Sequence, residues 1–479
     1  MASTDRTTII SAPGKVLLTG GYLVLDPAFS GLVVATDARF YTLIRPGRHS
    51  ATTEPYKVVV RSPQFDNATW TYWITLQGTT INFSPNKEDD SRNTFVELAL
   101  NYSFAMLVRL VPAETLIKTM ESGLEIVIAG NNDFYSQRKE LETRGLSLNT
   151  ESLRQIPLFA STHTTLSKVH KTGLGSSAAL ITSLVAAIFI HFDASKLQQD
   201  DTTNTQFLHN VAQFVHCLAQ GKVGSGFDVS SAVWGSHTYR RFSPEVLQSV
   251  MHQDAIQDIP ALLKIVTPKE TAWDNVVVPF KLAPRLHLML ADIDAGSHTP
   301  TLVSNVVELL KELDQVAKNH PEAYDRSIQK ASAVVASEWS GLVNQTITNE
   351  DVTFELLVKI YNEFLTVRRY LREMSKLSEV PVEPEEQTRL LDACMTVPGV
   401  LMAGVPGAGG YDAIFCIVLS DESRKGVEGV WSGFQEMSVG PLLCQESVEG
   451  GLVVELGHGH GDDRPLSKHT PTVQRLLQL

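Results

Sequence analysis

The sequence predicts an α+β protein with mixed strands and clustered helices. Three observations carry that expectation. The first hundred residues are rich in β-branched and aromatic runs separated by turn residues. A glycine-rich loop near residue 173 leads into a helix that is apolar on nearly all faces. A helix-rich run from about Leu302 to Met395 then returns to strands near the end of the chain.

Taken in order, strands are expected at Thr7 to Leu18, Leu32 to Ile44, Tyr56 to Arg61 and Trp70 to Leu76. A helix follows at about Asn93 to Val111, because Phe95, Leu98, Ala99, Tyr102 and Met106 recur at three- and four-residue steps. Leu124 to Ala129 reads as another strand. Residues 130 to 170 are polar and irregular, which suggests a flap or surface insertion. Ala178 to Ile190 is the buried helix, and Phe207 to Gln220 a further one. The span 243 to 270 reads as a connector. A second half opens with strands at about Val276 to Phe280 and Leu286 to Ile293. After the helical run come a strand at Ala413 to Leu419, a helix near 422 to 437 and a last strand near Leu452 to Leu456.

At 479 residues the chain is too long for one simple core, so two domains or one elaborated pair are expected. A net charge of −13 disfavours general binding to nucleic acid or anionic membranes. An anionic ligand would have to be held by local cations and backbone amides. Cys217, Cys394, Cys416 and Cys444 are scattered without a C-x-x-C pair, which points to free thiols in a reducing compartment. With no long apolar run and no apolar signal core, a cytoplasmic protein is the expectation.

The most informative segment is Lys171-Thr-Gly173-Leu174-Gly175-Ser176-Ser177-Ala178. Its glycines let backbone approach a ligand, a serine can cap the following helix, and the helix N-terminus favours an anion. Three readings compete. One is an ordinary serine-capped loop. Another is a dinucleotide fingerprint, which the spacing matches but which needs a preceding strand and a βαβ unit. The stretch from Ser161 to His170 is a poor buried strand, and a helix follows the helix. The last is a kinase phosphate loop, although no G-x-x-x-x-G-K-[ST] occurs.

Two further segments weigh on this choice: Ser11-Ala-Pro-Gly-Lys15-Val-Leu-Leu-Thr-Gly-Gly-Tyr22 and Ala403-Gly-Val-Pro-Gly407-Ala-Gly409-Gly410-Tyr-Asp412. Together with the central loop they resemble, in order, the three motifs of the GHMP kinases. Within that family the likeness is greatest to the fungal-type phosphomevalonate kinases, through Asn131-Asn-Asp-Phe-Tyr-Ser-Gln137, Gly224-Ser-Gly-Phe-Asp228-Val-Ser-Ser231 and Gly296-Ser-His-Thr-Pro300. One departure stands out. Many relatives carry a glutamate upstream of the catalytic aspartate, where this chain reads His216-Cys-Leu-Ala-Gln-Gly221.

The resemblance implies a two-lobed GHMP-kinase-like fold, an ATP-binding lobe over residues 1–245 and a second over 246–479, with the site between them. It implies ATP-dependent phosphorylation of (R)-5-phosphomevalonate, with Mg²⁺ as the cofactor of ATP. Alternatives are another GHMP small-molecule kinase such as mevalonate kinase, a related decarboxylase, or a non-catalytic metabolite sensor. Lys15 and Asp228 are the implied catalytic residues. Lys171 and Gly173 through Ala178 would wrap the ATP phosphates, with Ser176 or Ser177 on Mg²⁺. Ser297, Thr299, Arg138, Gly409 and Gly410 would face the acceptor, and Lys139, Lys222 and Arg240 are further cations for its phosphate. His216 reads as a hydrogen-bonded helix residue, and the metal-like Gly457-His-Gly-His-Gly-Asp-Asp463 as a flexible loop. Small-molecule substrates, no nucleic acid or membrane, and a monomer or weak homodimer complete the expectation.

Overall fold

The computed structural model describes residues 6–21, 23–47, 55–89, 91–197, 202–251, 253–268, 273–293, 305–343, 348–407, 409–411, 413–456 and 470–479. The chain opens with β1 (Thr8–Thr19), β2 (Gly31–Pro46), β3 (Tyr56–Arg61), β4 (Thr69–Gln77) and β5 (Thr80–Pro85). Next come α1 (Thr94–Leu110), α2 (Ala113–Met120), β6 (Leu124–Gly130) and the short helices α3 (Arg138–Thr143) and α4 (Thr150–Leu153). They lead to α5 (Ser176–His191), α6 (Thr202–Gln220), α7 (Phe227–Trp234) and β7 (His237–Arg240). Beyond them lie α8 (Glu245–Gln248), α9 (Ile259–Val266), β8 (Val276–Pro279) and β9 (His287–Ile293). The helical run is α10 (Asn305–Asn319), α11 (Pro321–Ala331), α12 (Asn349–Ser378) and α13 (Glu385–Met395). Then follow β10 (Val400–Gly404), β11 (Ala413–Val418), α14 (Asp421–Gly433), β12 (Val439–Pro441), β13 (Val453–Leu456) and α15 (Pro471–Gln478). This is the α+β mixture the sequence predicts.

Two sheets organise these elements. The larger runs β13-β1-β2-β6-β3-β4-β5, with β7 paired to β2 and β8 to β7. Its pairs are antiparallel except β3 with β6. The smaller, β10-β11-β9-β12, is antiparallel throughout. Strands β9, β10 and β11 are buried on both faces, which is why they read as unbroken apolar runs. Leu288, Leu290, Phe415 and Ile417 join the largest apolar cluster, which also holds α5 and the first sheet. Met289, Ala291, Ile414 and Cys416 face the other way, onto Leu390, Cys394, Val427 and Trp431 of α13 and α14.

Helix α5 is the keel of the molecule. Every residue in it but Ser177 is buried, and it packs on β1 and β2 with α1 and α6 beside it. A helix so enclosed has no polar face to offer, which explains its uniform apolarity.

Several local expectations are corrected. Val276–Pro279 is a strand as expected, and it pairs with β7 in the first sheet. Residues 130–170 are no loose insertion, since they form α3 and α4 and bury Phe134, Tyr135, Leu141 and Leu153. The connector at 243–270 contains α8 and α9. Strands β5, β7, β10 and β12 went unread, being short, partly exposed or masked by glycine and proline. The Gly457–Asp463 segment lies outside the described residues.

Three of the buried histidines contribute to the acid response. Burial pushes His191 down to about 3 and His209 and His237 down to about 4. In an unfolded chain these rings titrate near about 6.5. As pH falls below that value the unfolded chain takes up protons that the folded chain refuses, so stability falls with pH. Asp133 opposes this, because burial pushes it up to about 6 and the folded state keeps a proton the unfolded one loses. Burial raises Asp37, Glu446 and Glu455 in the same sense as Asp133, while Glu125, Glu140 and Asp274, held down by their partners, act with the histidines. Because the unfolded histidines titrate above the carboxylate range, urea titration is expected to give a lower midpoint at pH 5 than at pH 7. An unchanged midpoint would rule out the histidines as the acid-sensitive groups.

Candidate active site

The site is assembled where β1, the loop before α5 and the start of α7 meet. In β1 the register against β2 shifts between Pro13 and Lys15. Such a bulge re-aims the next side chain, here that of Lys15. Its backbone N–H donates to the Leu174 carbonyl at 2.9 Å. Its Nζ donates to the Gly173 carbonyl at 2.6 Å and lies 5.5 Å from the centroid of the Phe227 ring. Lys15 is therefore an inner residue of the loop cluster rather than a surface lysine.

The loop needs glycine for two reasons that coincide at Gly175. This residue caps α5 in the left-handed region with φ +75°. A β-carbon there would stand 3.0 Å from Lys15 Cε and 3.1 Å from Lys15 Cγ. The cap position thus belongs to Gly175, not to either serine, and no side-chain hydrogen bond closes the helix start. Ser176 is then the first helical residue. The N-terminal amides of α5 lack intrahelical acceptors and point toward whatever anion approaches.

The segment after β6 buttresses the loop. Thr172 donates through Oγ1 to the Asp133 carbonyl and through its N–H to the Phe134 carbonyl. Ser136 N–H donates to the His170 carbonyl at 3.0 Å. Ser176 is buried and its hydroxyl pairs with the Tyr135 phenol. Ser177 stays partly exposed, 3.2 Å from His216 Nε2. His216 also meets Gln220 at 3.3 Å and the Asp228 carboxylate at 3.8 Å, so it is a hydrogen-bonded helix residue.

Asp228 sits in the first turn of α7, whose cap Gly226 is left-handed with φ +83°. The turn is held from outside, where Tyr239 donates to the Ser225 carbonyl at 2.8 Å and Arg241 to the Gly224 carbonyl at 2.7 Å. The Asp228 carboxylate also accepts from the Val229 N–H at 2.9 Å. A negative charge at a helix N-terminus is favourable, and the carboxylate remains partly open to the cleft.

Two cavities converge on this cluster. One, of about 600 Å³, is lined by Lys15, His170, Lys171, Gly173 to Ser177, Phe227, Asp228, Pro406, Gly407 and Gly409. The other, of about 470 Å³, is lined by Asn67, Trp70, Arg92, Asn93, Phe95, Tyr135, Thr165, Lys171, Ser176 and Ser177, among others. Lys171, Ser176 and Ser177 border both. Loss of hydration holds the Lys171 ammonium below the usual lysine range.

The structure therefore brings together Lys15, Asp228, Lys171, Gly173 to Ser177 and Gly409, with Ala178 behind the loop and buried. Gly410 stands next to Gly409 and donates its N–H to the Val382 carbonyl. Arg138 is not on the cleft lining. It reaches across to the Ser438 carbonyl at 3.1 Å and toward the Asp292 carboxylate at 3.5 Å. Lys139, Lys222 and Arg240 are exposed and line neither cavity. Ser297 and Thr299 lie outside the described residues. Sequence reasoning missed the Asn67–Trp70 and Asn93–Phe95 walls. They come from separate elements with no local motif, and only the folded chain brings them together.

Comparison with known proteins fits this geometry. A model of the GHMP kinases N terminal domain matches residues 139–236, and one of the GHMP kinases C terminal region matches 354–434. A phosphomevalonate kinase of Arabidopsis thaliana, named as peroxisomal, is 39% identical, with 92% of this chain and 95% of the relative covered. The chain belongs to the GHMP kinase family. A phosphomevalonate kinase of Aspergillus fumigatus is 35% identical over 86% of this chain and 87% of its own length. Among solved structures, Streptococcus pneumoniae phosphomevalonate kinase in complex with phosphomevalonate and AMPPNP has a TM-score of 0.50 at 14% identity. It covers 92% of this chain and 99% of its own, and shares the fold. The Gly173–Ala178 loop falls in the first of these regions and the Gly407–Gly410 turn in the second.

Gly175→Ala tests the coincidence at the cap. The left-handed backbone costs an alanine about 1 to 2 kcal/mol, which a domain of ordinary stability survives. The new methyl pushes on Lys15, so turnover is expected to fall about 10- to 100-fold while the urea midpoint drops only modestly. Wild-type turnover would show that Lys15 does not depend on this contact.

Proposed function

We infer that the chain is an ATP-dependent phosphomevalonate kinase, converting (R)-5-phosphomevalonate to 5-diphosphomevalonate. The observation that carries this is the convergence of two cavities on Lys171, Ser177 and the start of α5, in a chain 34–39% identical to phosphomevalonate kinases over most of its length.

In our reading the cavity beside Trp70 and Asn93 takes the nucleotide, and the one beside Asp228 and Gly409 takes the acceptor. We assign nucleotide binding to a lobe over residues 1–245, to whose sheet β8 and β13 return from a second lobe over 246–479. The α5 amides and Lys171 hold the ATP phosphates at the shared border, where the reacting phosphoryl group would sit. Lys15 offsets the repulsion as one anion approaches another, which is the main electrostatic obstacle when the acceptor is itself a phosphate.

Asp228 has a different task from that of a base acting on an alcohol. A phosphate monoester loses its second proton near about pH 6, so the nucleophilic oxygen is mostly deprotonated at neutral pH. A general base then adds little. Asp228 orients the acceptor and supports the lysine instead.

Mg²⁺ is the cofactor we propose with ATP. No group of three or more His, Cys, Asp or Glu side chains suited to a metal occurs among the described residues. Ser177, partly exposed at the border of both cavities, fits an ion that takes few protein ligands and keeps its waters. Ser176 is committed to Tyr135 and is the weaker candidate of the two. When bound, the ion would neutralise charge on the nucleotide phosphates.

We propose a cytoplasmic protein acting as a monomer or weak homodimer. No described helix is long and apolar enough to cross a membrane, and the four cysteines are free and buried.

Two measurements test this function. ADP release by the purified protein is expected with phosphomevalonate, and not with mevalonate, diphosphomevalonate, galactose or homoserine; no turnover of phosphomevalonate with Mg-ATP would overturn the assignment. Asp228→Asn is expected to cost less rate than the matching change in a relative that phosphorylates a hydroxyl. Equal losses side by side would return Asp228 to the role of general base.

A further inference from the structure

The third glycine turn does not stand on its own. Gly409 has φ +74°, and a β-carbon on it would lie 2.3 Å from the Val382 carbonyl oxygen. The Gly410 N–H donates to that same oxygen at 2.8 Å. Tyr411, the next residue, hydrogen-bonds Glu386. On its other side the turn donates from Gly407 N–H to the Leu17 carbonyl at 2.9 Å, two residues beyond Lys15. The turn is thus clamped between β1 and the short strap that joins α12 to α13, and Gly407 and Gly409 form part of the cleft wall facing Asp228.

The strap is itself locked by a buried ion pair. Arg368 of α12 is 1% exposed and the Glu383 side chain 0%. The guanidinium takes both carboxylate oxygens, through Nε at 3.1 Å and Nη2 at 2.7 Å. Arg372 and Thr388 each donate to the same carboxylate at 3.1 Å, and Asp392 sits 2.8 Å from Arg368 Nη1. The Ser375 hydroxyl accepts from the backbone N–H groups of Val382 and Glu383 at 2.9 and 3.1 Å. So many directional bonds on a few residues fix the height of the Val382 carbonyl, whereas apolar packing alone would leave it free to slide.

We propose that Arg368 and Glu383 are positioning residues for phosphoryl transfer. Neither lines the cleft. Through Val382 they hold Gly409 and Gly410 at the level where the acceptor is aligned against Lys15 and Asp228. A shift of about 1 Å in such a wall costs on the order of 100-fold in rate. The inference rests on the phosphomevalonate kinase reading for its rate assay, but not for its structural readout.

The test compares Glu383→Gln, Ser375→Ala and the paired replacement Arg368→Met with Glu383→Leu. Buried ion pairs are often replaced by apolar residues without loss of stability, so the paired variant separates folding from alignment. Amide hydrogen exchange of the segment around Gly409 and Gly410 is followed in each, together with thermal midpoint, kcat and both KM values. The expected result is faster exchange there in all three and kcat lowered at least about tenfold, with KM for ATP within about twofold, since the nucleotide cavity is built elsewhere. In the paired variant this should persist even with a wild-type midpoint. Wild-type exchange at Gly409 and Gly410, or a paired variant with recovered stability and full kcat, would overturn the proposal. If exchange rises as expected but wild-type protein turns over no phosphomevalonate, the positioning stands and the acceptor assignment fails.

Discussion

Lys15 is held by main-chain carbonyls. Its amide and its ammonium both bond to the loop before α5, at Leu174 and Gly173. That arrangement demands a loop able to turn two carbonyls toward β1 while aiming the helix amides away from it. Left-handed Gly173 and Gly175 satisfy the demand, and the β1 bulge brings the lysine within reach.

Around that contact the charge economy of the molecule is understandable. A chain with net charge −13 must bind two polyanions. Lys171 and the α5 N-terminus border both cavities, and Lys15 lines one of them. The remaining cations named from sequence line neither cavity. Arg138 ties α3 to the second sheet, and Lys139, Lys222 and Arg240 are solvated.

The legible parts of the fold were those governed by local rules. Strands β1 to β4, helices α1 and α5 and the phosphate loop follow from periodicity, β-branching and glycine spacing. The cap of α5 was misread because Ser176 and Ser177 look like caps, while the close approach of Lys15 leaves room only for glycine one position earlier. Strand β8 was legible as a strand, but four residues of valine and proline say nothing about their partner; β7 decides it. Arg138 carried no mark that distinguished an inter-element tie from a ligand contact. The cavity beside Trp70 is a product of assembly, as are the strap and its ion pair, since Arg368 and Glu383 face each other only once α12 has turned into α13.

The larger sheet has one property with reach beyond the site. Strand β1, which carries Lys15, is covered on its outer side by β13, drawn from Val453–Leu456. Arg39 of β2 is buried and donates to the carbonyls of Gly450 and Gly451 from the same late stretch. During synthesis, then, the outer edge of β1 at Ile9–Ser11 and two of the carbonyl partners of Arg39 wait for residues 450–456. The larger sheet is not complete until β13 has been made. The protein closes as a unit, and a nascent or prematurely terminated chain exposes a sticky strand edge of the kind chaperones cover.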